Sequence, residues 1–256
     1  MDKEILKGAF TQENVFEYKC PHCYSGVLRL EGKFNSEETE VSGAEHKEDW
    51  WEPEMIRLVF NITLKCTTCR ELVFVVGNGV VEEEVGVDDD GDWHRDYVEY
   101  YTPTFFHPAL QLIDYPANAP AEVVSPLAVA SSLYFTSPAS CCNNIRIAAE
   151  QVLNHLEIPE KDGDSYISFG KRIQQLSEEQ KSVKELFSAL RWLGNHGSHP
   201  GNEIEPDDAL HALEMMEYLL EEVFGKRREA LKKLADAIND RKGPLGRLHR
   251  MILKES

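Results

Sequence analysis

No apolar run in this sequence approaches the eighteen or so residues that a membrane-spanning helix needs. Its opening residues, MDKEILKGAF, hold no extended apolar core of the kind a secretory leader requires. These two absences set the expectation of a cytoplasmic chain with no membrane contact. Basic charge is also scarce. Lys and Arg number 27 against 45 Asp and Glu, a formal net charge of −18. So acidic a body excludes broad, sequence-independent DNA binding, which needs cations to neutralise phosphates. No Walker loop or dinucleotide-binding glycine pattern occurs. GNGVVEEEVG and GNHGSHPG fit neither, which argues against a nucleotide hydrolase.

What is present is ordinary in amount and uneven in placement. The 256 residues, 42% hydrophobic and 28% charged, suffice for one large domain or two modest ones. From Lys226 to Ser256 ten Lys/Arg face four Asp/Glu, so this end is +6 and the remainder about −24. The basic end reads either as a solvated helix end or as a contact for nucleic acid or an acidic partner. Eight of the sixteen residues from Val81 to Asp96 are acidic. They lack the loop pattern and terminal glutamate of an EF-hand, so they read as a solvated loop rather than a calcium site.

Six cysteines occur, and four form two Cys-x-x-Cys pairs: Cys20 with Cys23, and Cys66 with Cys69. That spacing lets a tight turn aim two thiolates at one ion, and two such turns complete a tetrahedral sulfur site. Zinc is the expected occupant, with iron the competitor. Four thiolates leave no coordination position for water, so the ion would be structural. Runs of β-branched and aromatic residues flank each pair and predict strands. The expectation is a small zinc ribbon. Forty-two residues separate Cys23 from Cys66, and the acidic stretch NSEETEVSGAEHKEDWWEPE reads as a loop inserted between the two turns. His22, between two of the cysteines, reads as a group beside the ligand set or as a solvent-facing one, not as a ligand. Cys141 and Cys142, adjacent at a helix start, read as buried or capping residues.

Organisation follows from the change of period. Residues 1–100 form the ribbon with its acidic insertion. Residues 101–124, rich in aromatics and proline, read as an extended linker. Residues 125–240 are helical and 241–256 form a basic tail. The expected class is α+β: an N-terminal β zinc ribbon followed by an all-α bundle of about five helices. Ile145, Ala148, Ala149, Val152, Leu153 and Leu156 make one apolar stripe, flanked by Arg146 and Glu150 four residues apart. The stretch EPDDALHALEMMEYLLEEVFGKRREALKKLADAIND reads as one long helix.

RWLGNHGSHPGN, Arg191 to Asn202, ends another helix. Val183, Leu186, Phe187, Leu190, Leu193 and Gly197 form its core stripe. At about 100° per residue, Arg191, Asn195 and His199 share a face away from that stripe, Trp192 joins them, and His196 stands apart. Gly194 and Gly197 each weaken the helix by up to about 1 kcal/mol, a cost accepted where another backbone comes close. Two readings stand: an interface gathering Arg191, Asn195 and His199 from two copies, or a frayed helix end with surface histidines.

The segment LRWLGNHGSHPGNEIEPDDALHALEMMEYLLEEVF resembles the signature of the domain-of-unknown-function family numbered 4145. Arg191, Gly194, Asn195, His199, Pro200, Gly201 and Asp207 match in place, as do Arg146 and Glu150 on the earlier helix. The resemblance covers about residues 125–224 and implies a branch of the HEPN superfamily, whose helical bundles commonly dimerise. It implies a homodimer through the helical half, with a protein partner or RNA as further ligand. The function implied is an interaction module of a bacterial defence or restriction-type system. The alternative it implies is a metal-independent ribonuclease, in which Arg191 stabilises the phosphorane, His199 moves the proton and Asn195 orients.

Overall fold

A computed structural model describes residues 3–87, 91–177, 180–197 and 204–245. The chain opens with α1 (Lys3–Lys7), then strands β1 (Tyr18–Lys19), β2 (Val27–Leu30) and β3 (Asn35–Glu38). A short helix α2 (Glu40–Glu45) and a 3-10 turn at Pro53–Met55 lead into three long strands, β4 (Arg57–Cys66), β5 (Leu72–Val87) and β6 (Trp93–His107). Pairing is antiparallel throughout, in the order β1-β2-β4-β5-β6. β3 lies beside β4 at Leu58–Asn61, on the edge that β2 occupies at Leu64–Cys66.

The expected small zinc ribbon is therefore corrected. This half is a large curled antiparallel sheet, a six-stranded half-barrel. Three stretches hid it. The acidic insertion contains β3 and α2, the acidic run is largely strand up to Val87 and again from Trp93, and the expected linker begins inside β6. The physical reason is visible in burial. Along β4 residues alternate strictly between exposed and buried up to Ile62, the period-two signal of a half-buried strand. Near the far ends of β5 and β6 neither face is buried, so charge can sit at every position and the sequence looks like a loop.

The curl starts where the β5–β6 register slips between Val76 and Gly77. Such a bulge bends the strand and sharpens its twist. Gly77 is required there, since a Cβ would lie 2.2 Å from the Thr102 carbonyl oxygen. Phe10, Phe34, Phe60 and Tyr101 fill the sheet's inner face, with ring centroids 4.6 to 6.2 Å apart. Phe10 also bridges to β6, exchanging two backbone hydrogen bonds with Tyr101 at 3.0 and 2.8 Å.

The other half is helical, so the class is α+β overall. It comprises α3 (Ala121–Leu133), α4 (Pro138–His155), a small hairpin of β7 (Lys161–Asp162) and β8 (Ser165–Tyr166), α5 (Phe169–Gln174), α6 (Lys181–His196), α7 (Pro206–Phe224) and α8 (Arg227–Arg241). Ser137 caps α4 by accepting the Ser140 N–H, and Pro138 pre-sets its first turn. The stripe from Ile145 to Leu153 is fully buried, as its spacing predicts, and Leu156 partly so. α4 packs against α3, α6 and α7. A reciprocal capping box between Glu205 and Asp208 starts α7. The helix expected to run on from there stops at Gly225, whose extended backbone (φ −72°, ψ 145°) separates α7 from α8.

Sheet and helices share one core. Phe106 of β6 packs against Phe135 with ring centroids 4.7 Å apart and the rings tilted by 41°. Lys3 pairs with Glu214 at 2.6 Å and Lys7 with Asp207 at 2.7 Å. Among the described residues, no helix is long and apolar enough to cross a membrane.

Candidate functional site

Two places bring chemistry-bearing side chains together. The first is the end of the sheet. Cys20 and Cys23 turn between β1 and β2, and Cys66 and Cys69 turn between β4 and β5. The residue after each pair, Tyr24 and Arg70, has positive φ (57° and 69°), so the two turns have matching geometry. All four sulfurs lie within 4.8 Å of one another. Cys20 and Cys69 sulfurs are 3.7 Å apart, and those of Cys23 and Cys66 3.6 Å. Thiolates at about 2.3 Å from a central ion would stand about 3.8 Å apart in a tetrahedron, so the spacing suits a metal.

The surroundings suit thiolate as well. Backbone N–H groups of His22, Gly26, Thr68 and Cys69 point at the sulfurs, at 3.3 to 3.4 Å. The Ser25 hydroxyl, then its N–H, draws the Cys23 thiol down to about 5. Cys69 moves the other way. Against the hydrogen bond from the Glu71 backbone, burial and the adjoining sulfurs push it up to about 12. Gly26 gives the cluster its room, because a Cβ there would meet the Cys66 sulfur at 2.3 Å. The four cysteines are thus a candidate metal site, as the spacing predicts, set on a larger sheet than a ribbon. The His22 ring is not among the clustered groups. Cys141 and Cys142 are buried apart from it, and burial raises both thiols, Cys142 to about 12.

The second place is a cleft of about 740 Å³ in the helical half, between α4, α5 and α6 and beside the β7–β8 hairpin. Arg146 and Glu150 line it from α4, Tyr166 from the hairpin, Gly170 from α5, and Arg191 and Asn195 from α6. Arg146 donates to Glu150 at 2.6 Å, and the Tyr166 hydroxyl donates to the other Glu150 oxygen at 3.1 Å. The Glu150 carboxylate, helped by burial, raises the Tyr166 phenol above its ordinary value, so Tyr166 stays a proton donor.

Arg191 differs from Arg146. Among the described residues it has no carboxylate partner, and its Nε is buried with no hydrogen-bond acceptor. Its guanidinium lies 4.3 Å from the centre of the Trp192 ring, a cation–π contact. Trp192 itself is 55% exposed. The face expected to point wholly away from the core is therefore split. Arg191 and Asn195 are half-buried against α4 and α5, while Trp192 faces solvent. Gly194 and Gly197 serve a contact inside the chain: a Cβ would stand 2.5 Å from Arg146 Cβ and 2.4 Å from the Ala139 carbonyl oxygen respectively. His199 lies outside the described residues. His196 is exposed, and its Nδ1 sits 3.0 Å from the Trp192 carbonyl, apart from the cleft.

Two family models match the chain. Residues 129–241 match the one described as Domain of unknown function (DUF4145). Residues 8–106 match the one described as Domain of unknown function (DUF8608). The DUF4145 match contains every cleft residue named above, and the DUF8608 match contains the four cysteines and nearly all of the sheet. Neither a curated protein nor a solved structure matches. Arg146, Glu150, Arg191 and Asn195 carry a sequence signal, each pair being spaced i, i+4. Tyr166 and Gly170 carry none, since only tertiary packing brings them to the cleft.

Proposed function

We propose that this protein is a binding module, of the defence or restriction type its resemblance implies, that takes a phosphate-bearing ligand of the single-stranded RNA class in the cleft of its helical half. The observation behind this reading is Arg191. A guanidinium with no carboxylate partner among the described residues, facing a cleft beside an amide and a phenol, suits a phosphate that accepts two parallel N–H bonds. Arg146 has its charge offset by Glu150, so it fixes the cleft wall and adds little net charge. Trp192, exposed next to Arg191, offers a ring on which an unpaired base can stack. The acidic body turns other stretches of nucleic acid away and confines binding to this face. At the sheet end, a zinc ion held by Cys20, Cys23, Cys66 and Cys69 would tie two turns together and take no part in chemistry.

A second reading is favoured by one feature. Arg191 and Asn195 line the same cleft, as a metal-independent ribonuclease using Arg191, Asn195 and His199 would need. Fluorescence anisotropy of a labelled single-stranded RNA separates these readings from their failure. The parent protein binds, and Arg191→Ala binds about 10- to 100-fold more weakly, the scale of a lost charged hydrogen bond. Equal binding by both proteins would reject the cleft. Cutting of the same RNA without added divalent cation, lost in Arg191→Ala and His199→Ala, would select the ribonuclease.

A further inference from the structure

The sheet buries one face and leaves the other apolar face uncovered. Residues paired across a ladder share a face. Val59 and Asn61 of β4 stand opposite Asn78 and Val76 of β5, and Thr63 stands opposite Phe74. On the other side of β5, Phe74 stands opposite His107 and Val76 opposite Phe105. This face alternates with the buried one that holds Phe60, Ile62, Val73 and Val75. On it Val59, Leu72, Phe74, Val76 and Phe105 are each 39% to 53% exposed. Past the Arg57–Val80 pair, β5 and β6 run on without β4 as an arm, and the acids Glu82 and Glu84 come to this face only there.

Two shapes lie side by side on the patch. Phe105 and His107 hold their rings 7° from parallel, with centroids 6.4 Å apart. Beside them opens a hollow of about 430 Å³, lined by Asn35, Val59, Asn61, Val76, Asn78 and Thr104. A cavity of about 150 Å³ suffices for a benzene ring. Neither Phe105 nor His107 lines the hollow, so nothing in their own chain seats these rings in it.

We propose that this face packs on the same face of a second copy, with Phe105 of each copy seated in the hollow of the other. A two-fold contact of this kind needs one patch that carries both the inserted group and its receptor. Charge selects the occupant. Two chains of net charge −18 repel unless they meet where charge cancels. Here Arg57 is set against Glu37, and Lys65 is paired with Glu31 at 2.7 Å. The area agrees. Four strands about 4.8 Å apart, over the length that β4 and β5 share, present roughly 500 Å² per copy. Two copies then bury about 1,000 Å², the least that a specific interface needs. None of these residues lines the arginine cleft, and the contact belongs to the sheet half, apart from the helical contact that the resemblance implies.

Sedimentation equilibrium of the full chain across protein and salt concentration tests this. A reversible dimer that tightens as salt rises is expected, because salt screens the repulsion between acidic bodies and spares an apolar contact. Phe105→Ala removes both inserted rings, and Asn61→Trp fills both hollows. Each should weaken self-association by at least about tenfold, the scale of losing a central aromatic anchor, with an unchanged circular dichroism spectrum. An equal mixture of the two should form a heterodimer. The Asn61→Trp copy then gives its Phe105 to the open hollow of the other, and the alanine leaves room at the filled one. A parent that stays monomeric at every concentration overturns the proposal. So does a dimer that weakens with salt or survives both substitutions, or a mixture that associates no better than either variant alone.

Discussion

Gly170 of α5 lies directly against Arg191 of α6: a Cβ at Gly170 would stand 2.2 Å from the guanidinium Nη1. The absence of one carbon is what lets the arginine rest in the cleft. Gly170→Ala should therefore leave the fold intact and displace the flexible end of Arg191. Stability should change by less than about 1 kcal/mol, since alanine also favours the helix by roughly that amount. RNA affinity should fall at least several-fold. Thermal unfolding and an RNA titration of the same preparation check both halves; unchanged affinity would place Arg191 outside the binding site.

The glycines of α6 should behave differently. At Gly194 the obstacle is the Cβ of Arg146, and at Gly197 it is the Ala139 backbone. Neither can step aside without moving α4. Gly194→Ala and Gly197→Ala should each destabilise by about 1–3 kcal/mol, the usual scale of overpacking, despite the better helix propensity of alanine. Urea denaturation measures this. Stabilisation would mean that α4 and α6 do not approach so closely.

Loss of the metal should be larger than either. Cys66, like Cys20, is a fully buried member of the cluster. Cys66→Ser should abolish the equivalent of metal that elemental analysis finds in the parent. It should also cost about 4 kcal/mol or more, the range associated with loss of a structural ion. Cys142→Ser should keep the metal. A parent without metal, or a Cys66→Ser protein that retains it, would refute the assignment.

Reading these features from sequence succeeds where the signal is local. The two Cys-x-x-Cys turns are complete within four residues each, and the α4 stripe within twelve. Both lie in the structure as their spacing predicts. The sheet was only half legible. β4 alternates because one face is buried, whereas the arm beyond Val81 has no buried face and its acids look like a loop. The cleft was legible on α4 and α6, where i, i+4 pairs mark a face. Its third wall was not, because Gly170 and Tyr166 arrive through packing that leaves no periodic trace. Gly225 ends α7 inside a run that keeps helical composition on both sides, so the break from α8 was hidden as well.

The joint between sheet and helices should respond to pH. Lys7 donates to Asp207 at 2.7 Å. That hydrogen bond holds the Asp207 carboxyl below its ordinary 3.8 and the Lys7 ammonium above its ordinary 10.5. A depressed acid stabilises the fold fully above 3.8, and the contribution is lost as pH falls below it. A raised base stabilises fully below 10.5 and loses its contribution as pH rises beyond. The Tm difference between parent and Lys7→Met should therefore be constant through the neutral range and shrink at both extremes. Both groups are solvent-exposed, so high salt should shrink it too. A difference that does not vary with pH would show that the pair adds nothing.

The most direct test of the central claim uses Trp192, whose ring carries the Arg191 guanidinium at 4.3 Å. A phosphate that engages Arg191 must change the surroundings of that ring. Trp192 emission can be isolated as the difference between the parent and Trp192→Phe during titration with a single-stranded RNA. The account predicts a saturable change that follows binding and disappears in Arg191→Ala. Binding that leaves Trp192 emission unchanged, or a change that persists in Arg191→Ala, would contradict it.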